Sequence, residues 1–172
     1  MTSEVTLVRL DLATMAALVD GDLDRASAEA GVPLTRFLVD EAWLWRIRHD
    51  QVLADPEAAD WVARAALVDG EVVGHVGFHG PPDDAGMVEV AYSVDPLLRR
   101  RGHARRLLAA ALAWAAEDPA VRTVRASISP TNVASLATIR PFGFAHVGEQ
   151  WDDEDGLELL YERPVPLASS GG

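Results

Sequence analysis

A run of arginines has the residue types and the spacing to bind a multiply charged anion. Five of the chain's 15 basic residues lie at positions 99–106, although the whole chain has a formal net charge of -12. Their mutual repulsion is unfavourable unless an anion offsets it. Within the run, Gly102 allows the backbone to approach a ligand closely, and Ala104 leaves the next turn uncrowded. The segment therefore predicts a phosphate-binding site; the alternative is a solvated basic helix start.

The arginine run lies where a predicted strand passes into a predicted helix. Residues 88–94 read as a strand that Asp95 and Pro96 end, and apolar residues then recur at helical spacing from Ala104. A helix N-terminus offers unpaired N–H groups and a partial positive charge, so it favours anions. The chain has no lysine and no G-x-x-x-x-G-K-S/T or G-x-G-x-x-G motif, which excludes a P-loop and a dinucleotide fingerprint.

Composition limits the remaining classes of protein. A chain of 172 residues predicts one domain, residues 1–166, followed by a disordered tail, residues 167–172. The absence of cysteine excludes disulfides, a thiolate nucleophile and cysteine-based metal sites. No apolar run suggests a membrane span, and the start of the sequence lacks signal-peptide features, so we expect a cytoplasmic protein. The acidic charge argues against nucleic acid and favours a cationic substrate.

The order of predicted elements indicates a mixed α/β fold. Strands are predicted at 5–10, 64–68, 71–79, 88–94, 121–128, 144–150 and 157–162. Helices are predicted at 12–19, at 34–53, after Gly102 and after Asn132, the last ended by Pro141 and Gly143. Acidic and glycine-containing loops separate the first two helices. This order differs from the regular alternation of a doubly wound domain.

Two local sequences, together with this order, resemble the GNAT superfamily of N-acetyltransferases. Residues 94–104, VDPLLRRRGHA, fit the family's Q/R-x-x-G-x-G/A signature for acetyl-CoA, and residues 132–135, NVAS, with Gly143-Phe144, fit its second motif. Residues 88–92, VEVAY, are similar to the A-E-I-G-Y strand of the branch that acetylates ribosomal-protein N-termini. The resemblance implies a mostly antiparallel seven-stranded sheet flanked by about four helices.

The resemblance also implies acetyl-CoA as co-substrate and assigns residues to it. Backbone groups of 92–94 would hold the pantetheine arm, backbone N–H groups of 100–105 the pyrophosphate, with arginine side chains adding charge-assisted bonds. Asn132 would contact the cofactor from the following helix. The implied cofactor-binding residues are Tyr92, Ser93, Val94, Arg99, Arg100, Arg101, Gly102, His103, Ala104, Arg105 and Asn132.

Acetyl transfer to an amine requires a base, oxyanion donors and an acid for the thiolate. We predict Glu89 as the base, because in a strand it shares a face with residues nearer the cofactor turn; its alternative is a surface ion pair. Many family members carry a tyrosine as the acid seven residues after the motif asparagine, where this chain has Ile139. Ser135 and Tyr92 remain as catalytic candidates, although each also has a structural interpretation.

Other polar residues give weaker signals. His75 and His79 are too far apart in one strand to share a metal ion, and although one could line an acceptor pocket, satisfied strand histidines are the plainer interpretation. The acidic run 152–155 lacks calcium-loop spacing and is interpreted as a solvated turn; the alternative is that it attracts an amine substrate. No metal site is predicted.

The sequence thus predicts an N-acetyltransferase acting on a primary amine, either a protein N-terminus or a small cationic amine. The alternative from another class is a degenerate domain that binds acyl-CoA as a sensor or interaction module, which Ile139 motivates. A nucleotide binder unrelated to coenzyme A is a third hypothesis. A homodimer is possible on general grounds.

Overall fold

The computed structural model of the protein describes residues 4–165. The predicted tail, 167–172, lies outside the described residues. Seven strands form one sheet in the order β1-β2-β3-β4-β5-β7-β6. Their bounds are β1 Val5–Arg9, β2 Arg64–Val68, β3 Glu71–Phe78, β4 Met87–Val94, β5 Thr123–Ile128, β6 Ala145–Asp152 and β7 Gly156–Pro164. All neighbouring strands are antiparallel except β4 and β5, which are parallel. The predicted mixed, mostly antiparallel sheet is confirmed.

The described residues form six α-helices rather than the predicted four or so. They are α1 Leu12–Val19, α2 Leu23–Ala30, α3 Arg36–Asp40, α4 Ala42–Ala54, α5 His103–Ala116 and α6 Val133–Ile139. The single helix predicted at 34–53 is wrong, because the backbone leaves helical geometry at Glu41 and separates α3 from α4. The prediction of a loop over α2 is also wrong.

The second helix was missed because it carries almost no apolar periodicity. Its only buried side chain is Ala26, so no stripe of large residues marks it. Local backbone chemistry defines its ends instead. The Asp22 side chain accepts a hydrogen bond from the Arg25 N–H at the start, and Gly31 adopts the left-handed conformation (φ 75°) at the end.

The parallel strands β4 and β5 pair over only three residues and then separate. The pairs are Met87 with Thr123, Val88 with Val124 and Glu89 with Arg125. From residue 90 onward, β4 continues to Val94 with β3 as its only strand partner among the described residues. The backbone on the other side of β4 therefore faces a gap inside the sheet.

Helices cover both faces of the sheet. On one face Trp114 of α5 packs edge-on against Phe78 of β3 (ring centroids 4.7 Å apart) and stacks near Trp61. On the other face Trp45 of α4 is buried and packs edge-on against His75 (4.9 Å). Trp43, by contrast, is exposed. No helix within residues 4–165 has the length and apolar character needed to cross a membrane.

Candidate active site

A cavity of about 690 Å³, here called the donor cavity, opens where β4 and β5 separate. The predicted cofactor residues converge on it from three elements: the end of β4, the turn into α5 and the start of α6. Its lining is Tyr92, Ser93, Val94, Arg99, Arg100, Gly102, His103, Ala104, Arg105, Asn132, Ala134, Ser135 and Thr138. Arg101 is the one predicted residue absent from this lining.

The N-terminus of α5 is uncapped, unlike those of three other helices. Asp11, Asp22 and Asn132 each accept a backbone N–H with their side chains at the starts of α1, α2 and α6. At the start of α5 the N-cap is Gly102 (φ 80°), which has no side chain to do so. The first N–H groups of α5 therefore remain available to an anion in the donor cavity.

The arginines of the run have different conformations and contacts. Arg100 adopts a positive φ of 65°, which is rare for a residue with a side chain. Arg99 Nε donates to the carbonyl of Val94 (3.1 Å), which ties the turn to the end of β4. Arg106 Nη1 donates to the carbonyl of Arg101 (2.7 Å) and holds the turn from its far side. The arginines thus have two roles, since some line the cavity and Arg106 braces the loop.

A second cavity of about 490 Å³, here called the acceptor cavity, lies beside the first. It is lined by His79, Glu89, Val90, Ala91, Tyr92, Ala126, Ser127, Ile128, Asn132, Ser135, Gln150, Asp152, Asp155 and Glu158. Tyr92, Asn132 and Ser135 line both cavities. The two spaces therefore meet at these three side chains.

Glu89 is held by two hydrogen-bonding neighbours in the acceptor cavity. Its Oε1 accepts a bond from the Ser127 hydroxyl (2.9 Å), and its Oε2 lies 2.7 Å from His79 Nδ1. Burial by itself raises the pKa of Glu89, but the bonds from His79 and Ser127, with the nearby charge of Arg125, leave that pKa below its usual value. Glu89 is therefore ionised at neutral pH.

The acceptor cavity has an acidic wall on its β6–β7 side. Asp152, Asp155 and Glu158 each have a carboxylate oxygen within 4.8 Å of the others. Burial and the negative charges of Asp152, Glu89 and Asp155 raise the pKa of Glu158. Asp152 also shapes the turn, since its Oδ1 accepts the backbone N–H groups of Glu154 and Asp155, both at 2.8 Å. The acidic run is thus both a structured turn and part of a cavity wall.

The two strand histidines have different surroundings. His75 is buried between Phe37 and Trp45, and its Nε2 lies 3.5 Å from Glu41 Oε1. It is absent from the lining of both cavities. His79, just after β3, lines the acceptor cavity and contacts Glu89. His75 is thus a buried core histidine, but its Nε2 has no hydrogen-bond partner within residues 4–165, so it is not the satisfied histidine of the plainer interpretation. The acceptor-pocket alternative suits the position of His79.

Comparison with known proteins agrees with this geometry. The model of the acetyltransferase (GNAT) family matches residues 26–144, which is more than half of the chain. The chain belongs to the GNAT acetyltransferase family. The predicted family is confirmed, and it is a family of acetyl-CoA-dependent acetyltransferases.

Individual GNAT relatives resemble this chain at a distance. An uncharacterised N-acetyltransferase from Bacillus subtilis, YjdG, is 31% identical over 74 residues, which are 43% of this chain and 44% of the relative. The match thus spans less than half of that curated relative. RimL, a ribosomal L7/L12 α-N-protein acetyltransferase solved with coenzyme A, has 15% identity and a TM-score of 0.66, with 97% of each chain covered. The aminoglycoside acetyltransferase AAC(6')-Ib, solved with coenzyme A and kanamycin, has 18% identity and a TM-score of 0.64, over 94% of this chain and 95% of that one.

This GNAT chain departs from the family pattern at the predicted acid position. Ile139 is the last residue of α6 and only 2% exposed, so it belongs to the core. Arg140–Phe142 follows as a short 3-10 turn that contains Pro141. The two predicted catalytic hydroxyls, those of Tyr92 on β4 and Ser135 on α6, belong to residues that line both cavities. Burial raises the pKa of Tyr92, while hydrogen bonding with Ser135 and Thr138 offsets part of that rise.

Several lining residues carried no readable signal in the sequence. Ser127 on β5 and Gln150 on β6 join the acceptor cavity only because β5 and β7 pair beside β4. Glu158 reaches the same cavity across the β6–β7 hairpin, where it pairs with Gln150. One sequence pattern could have indicated part of this lining. Polar residues alternate on β5, which places Arg125 and Ser127 on the same face as Glu89.

Proposed function

We propose that this protein transfers the acetyl group of acetyl-CoA directly to a cationic primary amine. The observation that carries the proposal is the junction of the two cavities at Tyr92, Asn132 and Ser135. One cavity has the arginine turn at its far end, and the other has Glu89. A thioester held in the donor cavity would therefore meet an amine held in the acceptor cavity.

The donor cavity has groups suited to the pyrophosphate and to the pantetheine arm of acetyl-CoA. The free N–H groups at the start of α5, with Arg99, Arg100 and Arg105 around them, would bind the pyrophosphate. The unpaired edge of β4 at 92–94 would hydrogen-bond the amide-containing pantetheine arm as a neighbouring strand would. Asn132 is already engaged by the Ser135 N–H through its Oδ1 (3.1 Å), which leaves its amide nitrogen for the ligand.

The chemistry requires protons to move on both sides of the reacting carbonyl. The acceptor ammonium loses a proton to the hydrogen-bonded pair of Glu89 and His79, which acts as the base. The free amine then attacks the thioester carbon. The carbon–sulfur bond then breaks, and as the amide forms the nitrogen passes its second proton to Tyr92, replacing the proton that Tyr92 gives to the sulfur. The Tyr92 phenol, whose raised pKa keeps it protonated at neutral pH, would donate a proton to the leaving thiolate. Ser135 lies beside that phenol and would orient it.

The acidic wall of the acceptor cavity argues for a positively charged acceptor. Asp152, Asp155 and Glu158 would attract and hold an ammonium ion more strongly than a neutral amine. RimL is described as acting on a protein N-terminus, and AAC(6')-Ib was solved with the aminoglycoside kanamycin. Both acceptor types are cationic at neutral pH, and a small polycation would use more of the acidic wall.

Calorimetric titration with acetyl-CoA, with coenzyme A lacking the 3′-phosphate and with ATP tests the donor site. We expect micromolar binding of acetyl-CoA and a loss of at least tenfold in affinity for Arg100→Glu with Arg105→Glu. Arg36→Glu with Arg46→Glu, two exposed residues outside the donor cavity, is the charge-matched control. Arg101 is outside the cavity lining, so Arg101→Glu changes the local charge without removing a cavity contact. A small loss of affinity in this variant would show that direct contacts of the other arginines matter more than long-range attraction. No acetyl-CoA binding by folded protein would contradict the proposal.

Turnover then distinguishes an enzyme from the binding module that Ile139 suggests. Release of coenzyme A is followed with spermidine and with a short peptide bearing a free N-terminus. Acetylated product identified by mass spectrometry supports transfer. Tight acetyl-CoA binding without acetylation of either acceptor, or of a wider amine panel, would favour the module.

A further inference from the structure

We propose that His79 Nε2 is the atom that removes the proton from the acceptor amine, with Glu89 holding the ring in position. This inference rests on the proposed acetyl transfer and names the base within that site. The two residues lie together at the acceptor cavity, Nδ1 of His79 2.7 Å from Oε2 of Glu89. The arrangement is the one found where a carboxylate orients a histidine that acts as a general base through its other ring nitrogen.

The contact with Glu89 fixes which ring nitrogen carries the proton. An ionised carboxylate can only accept hydrogen bonds, so Nδ1 must be the donor at this distance. In the neutral ring the lone pair then lies on Nε2. Within residues 4–165, Nε2 of His79 has no hydrogen-bond partner, and the side chain is 51% exposed. The free nitrogen is therefore able to meet an entering ammonium group.

The backbone around His79 is fixed even though the ring tip is free. The His79 N–H donates to the carbonyl of Glu89 (2.9 Å). The His79 carbonyl accepts from Gln51 Nε2 on α4 (2.6 Å), and Arg48 supports that glutamine (2.9 Å). Both ends of the residue are thus tied to different elements, which aims the ring across the acceptor cavity.

Glu89 is less suited than His79 to hold the proton itself. Both of its carboxylate oxygens already accept hydrogen bonds, from Ser127 and from His79. Its pKa lies below the ordinary value for glutamate, so it is a weak base toward an alkylammonium ion. Imidazole, in general, titrates closer to neutral pH than a carboxylate does, which matches a general base to its working pH.

The charges that surround the pair are mainly negative. Asp152, Asp155 and Glu158 line the same cavity from β6, the turn and β7. Arg125 on β5 supplies a positive charge, and it is paired with Glu162 of β7 (Nε to Oε2, 2.9 Å). From α4 the nearest groups are Gln51 and Arg48. This environment favours an imidazolium ion that forms during the reaction.

The proton balance of the step is simple. R–NH3+ and neutral His79 give R–NH2 and an imidazolium ion with the new proton on Nε2. After the amine attacks, the thiolate leaves with a proton from the Tyr92 phenol, and the second nitrogen proton restores that phenol. The imidazolium then releases its proton to water through its exposed edge, which restores the neutral ring.

The test uses the full-length protein and the faster of spermidine and a peptide amine as acceptor. We expect His79→Gln to lower kcat at least 100-fold while acetyl-CoA affinity stays within twofold, because His79 lies outside the donor cavity. His146→Gln, outside both cavities, is the matched control and should keep wild-type kcat. Added imidazole should restore part of the activity of His79→Ala in proportion to its neutral form.

Glu89→Gln separates the two possible bases. With His79 as base, this variant keeps more of its kcat than His79→Gln does, because the imidazole remains and only its positioning partner is lost. Histidine 15N NMR of the wild type should show the Nδ1–H tautomer at His79, a readout that requires no turnover.

Three results would overturn the inference. The first is unchanged kcat in folded His79→Gln, the second is an Nε2–H tautomer in the wild type, and the third is a folded Glu89→Gln variant with a lower kcat than His79→Gln. A wild type that acetylates no amine overturns the proposed function and this inference together. An active wild type with an unaffected His79→Gln variant overturns this inference alone.

Discussion

Ser127 donates its hydroxyl to Glu89 Oε1 across the point where β4 and β5 separate, at 2.9 Å. The last backbone pair of the two strands is Glu89 with Arg125, so the Ser127–Glu89 bond is the side-chain link directly beyond it. The bond also stabilises the ionised form of Glu89, since it lowers that residue's pKa. One contact thus joins the two strands and, with His79, helps to keep Glu89 ionised.

Ser127→Ala should reduce the stability of the ligand-free protein at neutral pH and leave it nearly unchanged in acid. A carboxyl whose pKa is lowered by folding stabilises the fold above its unfolded pKa, and this contribution is lost as pH falls through the folded value. Without Ser127 the pKa of Glu89 rises and that contribution shrinks. Melting temperatures from pH 3 to pH 8 measure the effect. A constant difference between variant and wild type across this range would contradict the assignment.

Tyr92→Phe should lower kcat about tenfold or more and leave the affinity for acetyl-CoA nearly unchanged. The substitution removes the proposed proton donor and keeps the ring that packs at the junction of the cavities. Because burial raises the pKa of Tyr92, the wild type should keep its acid through neutral pH and lose it only above the ordinary tyrosine range. The pH profile of kcat checks this; equal kcat in both proteins would remove Tyr92 from the mechanism.

Glu158→Gln should raise KM for spermidine several-fold without changing KM for acetyl-CoA, because Glu158 lines only the acceptor cavity. The same change should stabilise the ligand-free protein at neutral pH. The pKa of Glu158 is raised in the fold, so its ionisation opposes folding as pH rises through the unfolded and folded values. Glu149→Gln on β6, which lines neither cavity, is the control. Equal KM values would show that the acidic wall does not select the acceptor.

Gly74→Ala should destabilise the protein by about 1–3 kcal/mol and weaken acetyl-CoA binding, because overpacking moves backbone here. A Cβ at Gly74 would overlap the carbonyl oxygen of Ser93 on β4, and backbone cannot rotate away as a side chain can. Gly148→Ala in β6 is matched, since a Cβ there meets nothing within 4 Å. Chemical denaturation and calorimetry measure both effects. Similar behaviour of the two variants would contradict the close approach of β3 and β4.

The parts of the site that depend on consecutive residues could be predicted from the sequence. The arginine turn from Arg99 to Arg105 and the strand with Glu89 are local patterns, and both lie at the gap in the sheet. Two details of the turn could not be predicted, the absence of Arg101 from the cavity lining and the positive φ of Arg100. No periodicity reveals that conformation in a residue that rarely adopts it.

The acceptor cavity depends on strand order, which single elements do not specify. Ser127, Gln150 and Glu158 meet Glu89 only because β7 pairs between β5 and β6. The predictions of the helices before β2 were wrong for a different reason. Asp22 and Gly31 define the ends of α2, and Glu41 separates α3 from α4. Because no apolar stripe marks these ends, the sequence pattern missed α2 and joined α3 to α4.

The separation of β4 from β5 leaves one edge of β4, from residue 90 to residue 94, without a strand partner within residues 4–165. Such a row of unpaired N–H and C=O groups is chemically the edge of a sheet, and sheet edges are templates for association with other chains. In the proposed binding mode acetyl-CoA covers this edge, and a ligand that binds only the folded state also stabilises it. The supply of acetyl-CoA would then determine both the rate of acetylation and how much of the protein escapes aggregation.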